Sequence, residues 1–364
     1  MFKAVIIGFA HMHVNEIAQY IEECEDFTLI GAADVAPEVP EKTESRYTRG
    51  WNIKNISEKY GIVPYEDYRV MLNELEPDIA FILCENSKKP DIVEECAKRG
   101  VNVSIEKPMA INLAEALKIK ETVEKYSIEA MVNWPVIWRP YLHKQIAALN
   151  SGLVGKLIKV FYINGHTGPL GRGAKHRGVS EKAQEMTDSE RASTWWYKNE
   201  TGGGAFLDIG CYGCFFNEWV RESYDKPVSV MAFKGNYNTP YMNSADNMAA
   251  IIEYKDSYGV VEGSWTVPQA SLPTGPIYNC TDGVLYCDEN REIIAMNVYG
   301  ERILLPEYKL HPHIANLPDH YAYCKKNGEP LVKTVTLDFN IRLMRLIDAA
   351  LKSSESGRKE IINE

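Results

Sequence analysis

Two segments of this sequence carry side chains suited to moving a proton. The first is V-N-V-S-I-E-K-P-M-A at 101–110, where an apolar run ends at Ile105 and delivers Glu106, Lys107 and Pro108. Pro108 fixes the turn and restricts Lys107 to an extended backbone. A lysine held this way can hydrogen-bond a hydroxyl and take or relay its proton. Partial burial and a nearby positive charge are expected to lower its pKa. The second is T-G-G-G-A-F-L-D-I-G-C-Y-G-C-F-F-N at 201–217. Its glycines let backbone come close to a ligand. Asp208 and Tyr212 stand at i and i+4, on one face of a helix. A carboxylate and a phenol near a lysine form an acid–base set. Each piece also has a plainer reading. An isolated E-K-P is a surface lysine in a turn, and Asp208 favours a helix dipole. Cys211 and Cys214 form a C-x-x-C without a redox-domain pattern or a second zinc-spaced pair, so they read as buried packing.

A third segment, I-G-F-A-H-M-H at 7–13, links a strand-like run to a helical one. It reads G-x-A-x-x-H where a dinucleotide loop has G-x-G-x-x-G. Gly8 supplies the tight turn, Ala10 is the smallest side chain at the pyrophosphate position, and His13 departs most. Asp34 closes the next strand about 20 residues on, where an acid takes a ribose 2′-hydroxyl. The helix N-terminus offers free N–H groups to phosphate. His11 is expected to face the phosphates and His13 to pack in the first turn. A metal is the alternative. Two histidines at i and i+2 across a helix start are expected to diverge, and no further ligands are obvious, so none is assigned. Asp34 repels a 2′-phosphate and Val35, Ala36 and Pro37 offer it no cation, so NAD is favoured over NADP.

These residues need a scaffold. Strands are expected at Phe2–Gly8, Phe27–Asp34, Asp78–Leu83, Val101–Ile105 and Ile128–Asn133. Helices are expected at His11–Cys24, Asp67–Leu75, Pro90–Lys98 and Leu113–Lys125. That alternation implies a parallel, doubly wound α/β sheet, at whose carboxyl edge ligands bind. The stretch Ala36–Ile53, rich in Pro, Glu, Thr and Arg, reads as a loop in which Arg46 and Arg49 are solvated. From about Leu157 to Leu305, β-rich segments separated by turns suggest a mixed or antiparallel sheet. A helix at Gly203–Arg221 interrupts them, and helices at Ile314–Lys326 and Asp338–Ser353 close the chain. His311, His313 and His320 read as polar residues at the start of a helix.

Composition narrows the function. The 364 residues exceed one ordinary core, so two domains are expected, 1–133 and 134–364. The net charge of −10, without a basic stripe, argues against a nucleic-acid partner. No apolar run approaches the roughly 20 residues that span a bilayer. The eight scattered cysteines suggest reduced thiols and a cytoplasmic protein.

Taken together, the Gly8 loop, Asp34, Glu106–Pro108, the helix Gly202–Tyr212 and the late A-A-L-K-S-S-E-S-G at Ala349–Gly357 resemble the glucose–fructose oxidoreductase / inositol dehydrogenase (Gfo/Idh/MocA) family. The resemblance implies a Rossmann domain followed by an α+β domain with a large, open, mostly antiparallel sheet, used to build a homodimer or homotetramer. It implies that Lys107, Asp208 and Tyr212 form the catalytic group. It places the cofactor against Gly8, Phe9, Ala10, His11, His13, Asp34, Cys84, Glu85, Asn86, Glu106, Lys107 and Asn133. Many members have His at the position of Tyr212, which leaves the proton acceptor open between Lys107 and Tyr212. Where the family has T-P-N-x-x-H this chain has C-E-N-S-K-K, so Lys89 replaces a histidine. The same fold would bring Arg139, Tyr162, His166, His176, Trp195 and Trp196 towards Asp208 and Tyr212, beside a Gly-rich loop carrying Arg172 and Arg177. Polar groups with aromatic faces suit a sugar, glycoside or cyclitol. The expected activity is oxidation of a secondary hydroxyl by NAD. A glycosidase or lyase using NAD transiently, and a non-catalytic NAD and sugar sensor, are the alternatives.

Overall fold

A computed structural model describes residues 1–37, 39–171, 173–221 and 225–363. Five parallel strands form the first sheet: β1 (Phe2–Ile7), β2 (Phe27–Ala33), β3 (Ile79–Ile82), β4 (Asn102–Glu106) and β5 (Ala130–Asn133). Their order is β2-β1-β3-β4-β5, so the chain reverses direction across the sheet between β1 and β3. β3 is buried along its whole length, because helices cover both faces of a parallel sheet. The flanking helices include Val14–Glu23, Tyr68–Leu75, Lys89–Ala97 and Leu113–Tyr126. The Asn112 side chain caps the last of these, accepting the Glu115 N–H at 2.9 Å.

The second sheet has eight strands: β6 (Leu157–Gly165), β7 (Ser229–Gly235), β8 (Asn247–Glu253), β9 (Tyr258–Ser264), β10 (Thr274–Cys280), β11 (Gly283–Cys287), β12 (Ile293–Asn297) and β13 (Glu360–Ile361). Only β6 and β9 pair in parallel. β8 alternates, with Met248, Ala250 and Ile252 buried and Ala249, Ile251 and Glu253 exposed. One face therefore packs on the helix Cys211–Trp219 and its neighbours while the other lies open.

The long helix Leu337–Ser356 packs against both β7 and the helix Leu113–Tyr126. Asp348 accepts the Leu113 N–H at 3.3 Å, and Asn340 accepts the Trp134 indole N–H at 2.8 Å. One apolar cluster runs from the first sheet into the second, and another packs Val160, Tyr278, Leu285 and Ala295 of the second sheet. A separate cluster that includes Ala10, Met12, Tyr47, Trp195, Trp196 and Trp265 roofs the Gly8 loop.

Candidate active site

The Gly8 loop crosses the carboxyl ends of β1 and β3. Gly8 has φ +93°, and a Cβ there would lie 2.7 Å from the Cys84 nitrogen. Only glycine permits that approach. The His11 N–H donates to the Leu83 carbonyl at 3.0 Å. The helix starts at Val14 rather than His11, so residues 9–13 form the turn before it. Among the described residues, the N–H groups of Phe9, Ala10 and Met12 meet no protein acceptor. Free donors ahead of a helix suit a pyrophosphate.

His11 and His13 do not diverge. Their ring centroids are 4.3 Å apart, because the turn precedes the helix and His11 folds back to accept the His13 N–H on Nδ1 at 3.2 Å. His13 Nδ1 lies 3.1 Å from Glu106 Oε1. Burial, then the neighbouring cations, hold His11 well below its ordinary pKa; burial opposes His13 too, but Glu106 outweighs it and raises that pKa. His11, His13 and Glu106 are close enough to share a cation. The His11 lone pair is already committed to a main-chain N–H, however, so its other nitrogen carries the proton and cannot ligate.

A second cluster, His311, His320 and Cys324, has the same defect. His320 Nδ1 lies 2.7 Å from the His313 carbonyl and Nε2 accepts the Val332 N–H at 3.0 Å. His320 lies in the first turn of its helix. It is buried within the helix Leu317–Asn327, whose cap is Asn316.

The ribose end corrects the reading of the Ala36–Ile53 stretch. A helix, Arg49–Tyr60, begins inside it, and Arg49 is only 6% exposed. Its Nη1 donates to Asp34 Oδ1 at 2.7 Å and to the Val35 carbonyl at 2.6 Å, and its Nη2 pairs with Glu85. The Arg49 N–H donates to Glu41 at 3.1 Å, and burial pushes the Glu41 carboxyl up to about 7. Buried carboxylates need such a cation. Arg46 is not solvated either; its Nη1 donates to the Lys182 carbonyl at 2.5 Å, and the Tyr47 hydroxyl donates to the Glu181 carbonyl. The segment thus clasps the loop that follows His166. Asp34 Oδ2 keeps no partner among the described residues. It lines a cavity of about 390 Å³ with Tyr68, Arg69, Lys88 and Asp91. The free donors, the close approach at Gly8 and this cavity fit a dinucleotide.

At the centre, Lys107 is 2% exposed. Its Nζ donates to the Asp208 carbonyl at 2.7 Å and to Asp208 Oδ1 at 3.1 Å, and lies 4.7 Å from the centre of the Tyr212 ring. Asp208 sits in a π-helical turn, Phe206–Gly210, ahead of the helix carrying Tyr212. Such turns are frequent at functional sites. Asp208 Oδ2 accepts the Trp265 indole N–H at 3.0 Å and lies 3.2 Å from His166 Nε2. The expected lowering of the Lys107 pKa is not what this arrangement gives. Burial acts that way, but the ionised Asp208 carboxylate at 3.1 Å opposes it and Lys107 is raised well above its ordinary value. Burial raises Asp208, yet Lys107 and then His166 hold it well below the usual carboxylate range; burial raises the Tyr212 phenol.

Lys89, at the family's histidine position, is fully buried. It donates to Asn86 Oδ1 at 2.6 Å and to the carbonyls of Glu106 and Pro108 at 2.5 and 2.7 Å. Asn86 Nδ2 in turn donates to the Gly202 carbonyl at 2.8 Å, and Asn133 Nδ2 reaches Glu106 at 3.5 Å. Cys84 and Glu85 are buried at the end of β3.

The residues expected at the substrate separate. Trp195 and Trp196 lie on the Gly8 loop, Trp195 donating to the Ala10 carbonyl at 2.9 Å and Trp196 meeting His11 at 4.8 Å between centroids. They line one pocket with Lys107 and Asp208. A Cβ on Gly203 would lie 2.2 Å from the Trp196 carbonyl, which is why that run needs glycine. His166 reaches Asp208, as above. Tyr162 packs against Phe216 with the rings tilted by 43° and their centroids 4.9 Å apart, and Arg139 precedes the helix Pro140–Asn150. His176 Nε2 lies 2.9 Å from the Pro169 carbonyl and its ring packs against Tyr47. Arg177 pairs with Glu16 at 3.1 Å. Arg172 lies outside the described residues. Cys211 and Cys214 are buried free thiols. Arg49, Lys89 and Trp265 were missed by sequence reasoning; for Lys89 the departure from the family's histidine was the available signal.

Fold and site together define a protein built on a nucleotide-binding Rossmann domain. The model of the oxidoreductase family with an NAD-binding Rossmann fold matches residues 2–134, and that of the GFO/IDH/MocA C-terminal domain matches residues 164–286. The chain belongs to the GFO/IDH/MocA family. It is 25% identical over 233 residues to trans-1,2-dihydrobenzene-1,2-diol dehydrogenase of Xenopus tropicalis, covering 64% of this chain and 62% of that protein. It thus spans about three fifths of that relative. It is 21% identical to scyllo-inositol 2-dehydrogenase (NAD(+)) of Bacillus subtilis (strain 168), over 79% of this chain and 78% of that protein. Among solved structures, the putative oxidoreductase from Thermotoga maritima superposes with a TM-score of 0.75 at 18% identity, over 99% of this chain and all of that one. No helix among the described residues is long and apolar enough to cross a membrane.

Proposed function

We propose that this chain is an NAD-dependent dehydrogenase that oxidises a secondary hydroxyl of a sugar, glycoside or cyclitol. The observation that carries the reading is Lys107 Nζ held by Asp208 at the carboxyl edge of β4, beside the Gly8 loop. Relatives named for a cyclic dihydrodiol and for an inositol support a ring-borne hydroxyl. Phe9, Ala10 and Met12 hold the pyrophosphate and Asp34 a ribose hydroxyl. Asp34, Glu66, Asp67 and Asp91 outnumber Arg69 and Lys88 around the ribose cavity, which favours NAD over a cofactor with a 2′-phosphate. When bound, the dinucleotide supplies the hydride acceptor. Lys107, kept cationic by Asp208, donates a hydrogen bond to the reacting hydroxyl oxygen. Trp195 and Trp196 exclude water from above the loop. The open face of the second sheet, with Met231, Phe233 and Ile251 exposed, favours a homodimer or homotetramer.

The test is NADH absorbance with purified protein, NAD and a panel of sugars, glycosides and inositols, with NADP as control. NADH from one substrate class, abolished in Lys107→Ala while NAD still binds, is the expected result. Release of an aglycone without net NADH, or binding without any turnover, overturns the reading.

A further inference from the structure

Every other acid–base group at this site is committed. Lys107 is cationic beside Asp208, and burial keeps the Tyr212 phenol protonated. Asp208 spends Oδ1 on Lys107 and Oδ2 on the Trp265 indole. His166 differs. It follows β6, with Nε2 3.2 Å from Asp208 Oδ2 and its ring stacked near Trp265, centroids 6.2 Å apart at 23°. Its Nδ1 is buried and makes no hydrogen bond. An imidazole with no acceptor at Nδ1 carries its proton on Nε2, where the carboxylate faces it. Nδ1 then keeps a free lone pair. A nucleophile's or alcohol's base oriented by a third group has this form.

We propose that His166 is the general base of this site, taking the substrate's hydroxyl proton at Nδ1 while Lys107 holds the hydroxyl oxygen. This rests on the dehydrogenase reading above. The step balances. The O–H bond breaks and its proton forms N–H at Nδ1. The C–H bond breaks and leaves as hydride, with both electrons, to the dinucleotide. The pair left on oxygen closes the carbonyl, so the substrate is oxidised and the dinucleotide reduced.

The charged and titratable groups around His166 are Asp208, Lys107 across that carboxylate, and His176 on the loop beyond. His176 stays neutral, burial lowering it to about 4. Asp208 is therefore the group that stabilises the imidazolium. The His166 side chain is 29% exposed, against 2% for Lys107.

Kinetics of His166→Ala and His166→Gln test this in the full chain. We expect kcat to fall about 100-fold with the Kd for NAD, read by fluorescence quenching, changed less than about twofold. Added imidazole restores kcat to His166→Ala, and the restored rate follows imidazole's own ionisation. Wild-type kcat in both variants, or loss without rescue, overturns the proposal. Nitrogen-15 NMR supplies a readout that needs no turnover. We expect His166 to carry its proton on Nε2 and to lose that preference in Asp208→Asn; a proton on Nδ1 overturns the assignment. If no polyol yields NADH, the dehydrogenase reading falls and the NMR tautomer alone decides. If His166→Ala does not fold, His166→Gln and the NMR decide together.

Discussion

Lys89 holds the main chain on both sides of Lys107. One ammonium takes the carbonyl before it, of Glu106, and the carbonyl after it, of Pro108. Through Asn86 the same ammonium reaches Gly202, the start of the run that delivers Asp208. The two halves of the Lys107–Asp208 pair are thus registered against each other by a residue that touches neither side chain.

Lys89→Met leaves three oxygens without a donor, at about 1–3 kcal/mol each. A displacement of about 1 Å at Lys107 costs on the order of 100-fold in kcat. Both losses are expected, measured by urea unfolding and by turnover. Burial lowers Lys89 to about 8, so between there and the unfolded value near 10.4 the folded state binds fewer protons. The Lys89 contribution to stability therefore rises with pH across that window, and it is read as the difference between wild type and variant, which widens from about pH 8 to about 10.4.

Arg49→Met strands Glu85 and Asp34. Breaking a buried pair this way costs about 3–5 kcal/mol. The denaturation midpoint is expected to fall accordingly, and a variant of unchanged midpoint shows that Arg49 is not the counter-charge.

His11 and His13 are expected to give stability opposite pH slopes. The raised pKa of His13 contributes stability that is present below about 6.5 and lost as pH rises through its folded value. The lowered pKa of His11 makes stability fall as pH drops below about 6.5, because the unfolded state takes the proton first. Unfolding midpoints of His11→Gln and His13→Gln from pH 5 to 8, a range of about three units around that value, separate the two.

Gly8→Ala forces a Cβ into the Cys84 main chain at positive φ. Strain of about 1–3 kcal/mol follows, and the loop is expected to lose NAD binding, read by fluorescence quenching. Retained binding places the pyrophosphate elsewhere.

Much of this was legible from periodicity alone. Each expected strand of the first sheet and the three helices after the first fell within two residues of the structure, because continuous apolar runs and helical faces are local signals. The first helix began three residues late, since a histidine turn and a helix start look alike in sequence. Missing altogether was Pro140–Asn150, and Arg49–Tyr60 was half hidden in a charged stretch. Spacing put Asp208 and Tyr212 on one helix face, and the family resemblance joined Lys107 to them; the three side chains do meet. What could not be read was pairing across the chain: Arg49 with Asp34 and Glu85, Trp195 on Ala10, His166 on Asp208. No local pattern encodes which side chain meets which across separations of 15 to 185 residues, and the direction of the Lys107 shift depended on Asp208, 101 residues away.

The helix Leu337–Ser356 has a consequence for how the molecule is made. It covers the outer side of Leu113–Tyr126 and reaches β7 as well. On the ribosome, the first sheet and its helices emerge early, yet the surface that Leu113 presents to Asp348 stays bare until the chain has reached Leu337. The nucleotide half is therefore synthesised first and sealed last.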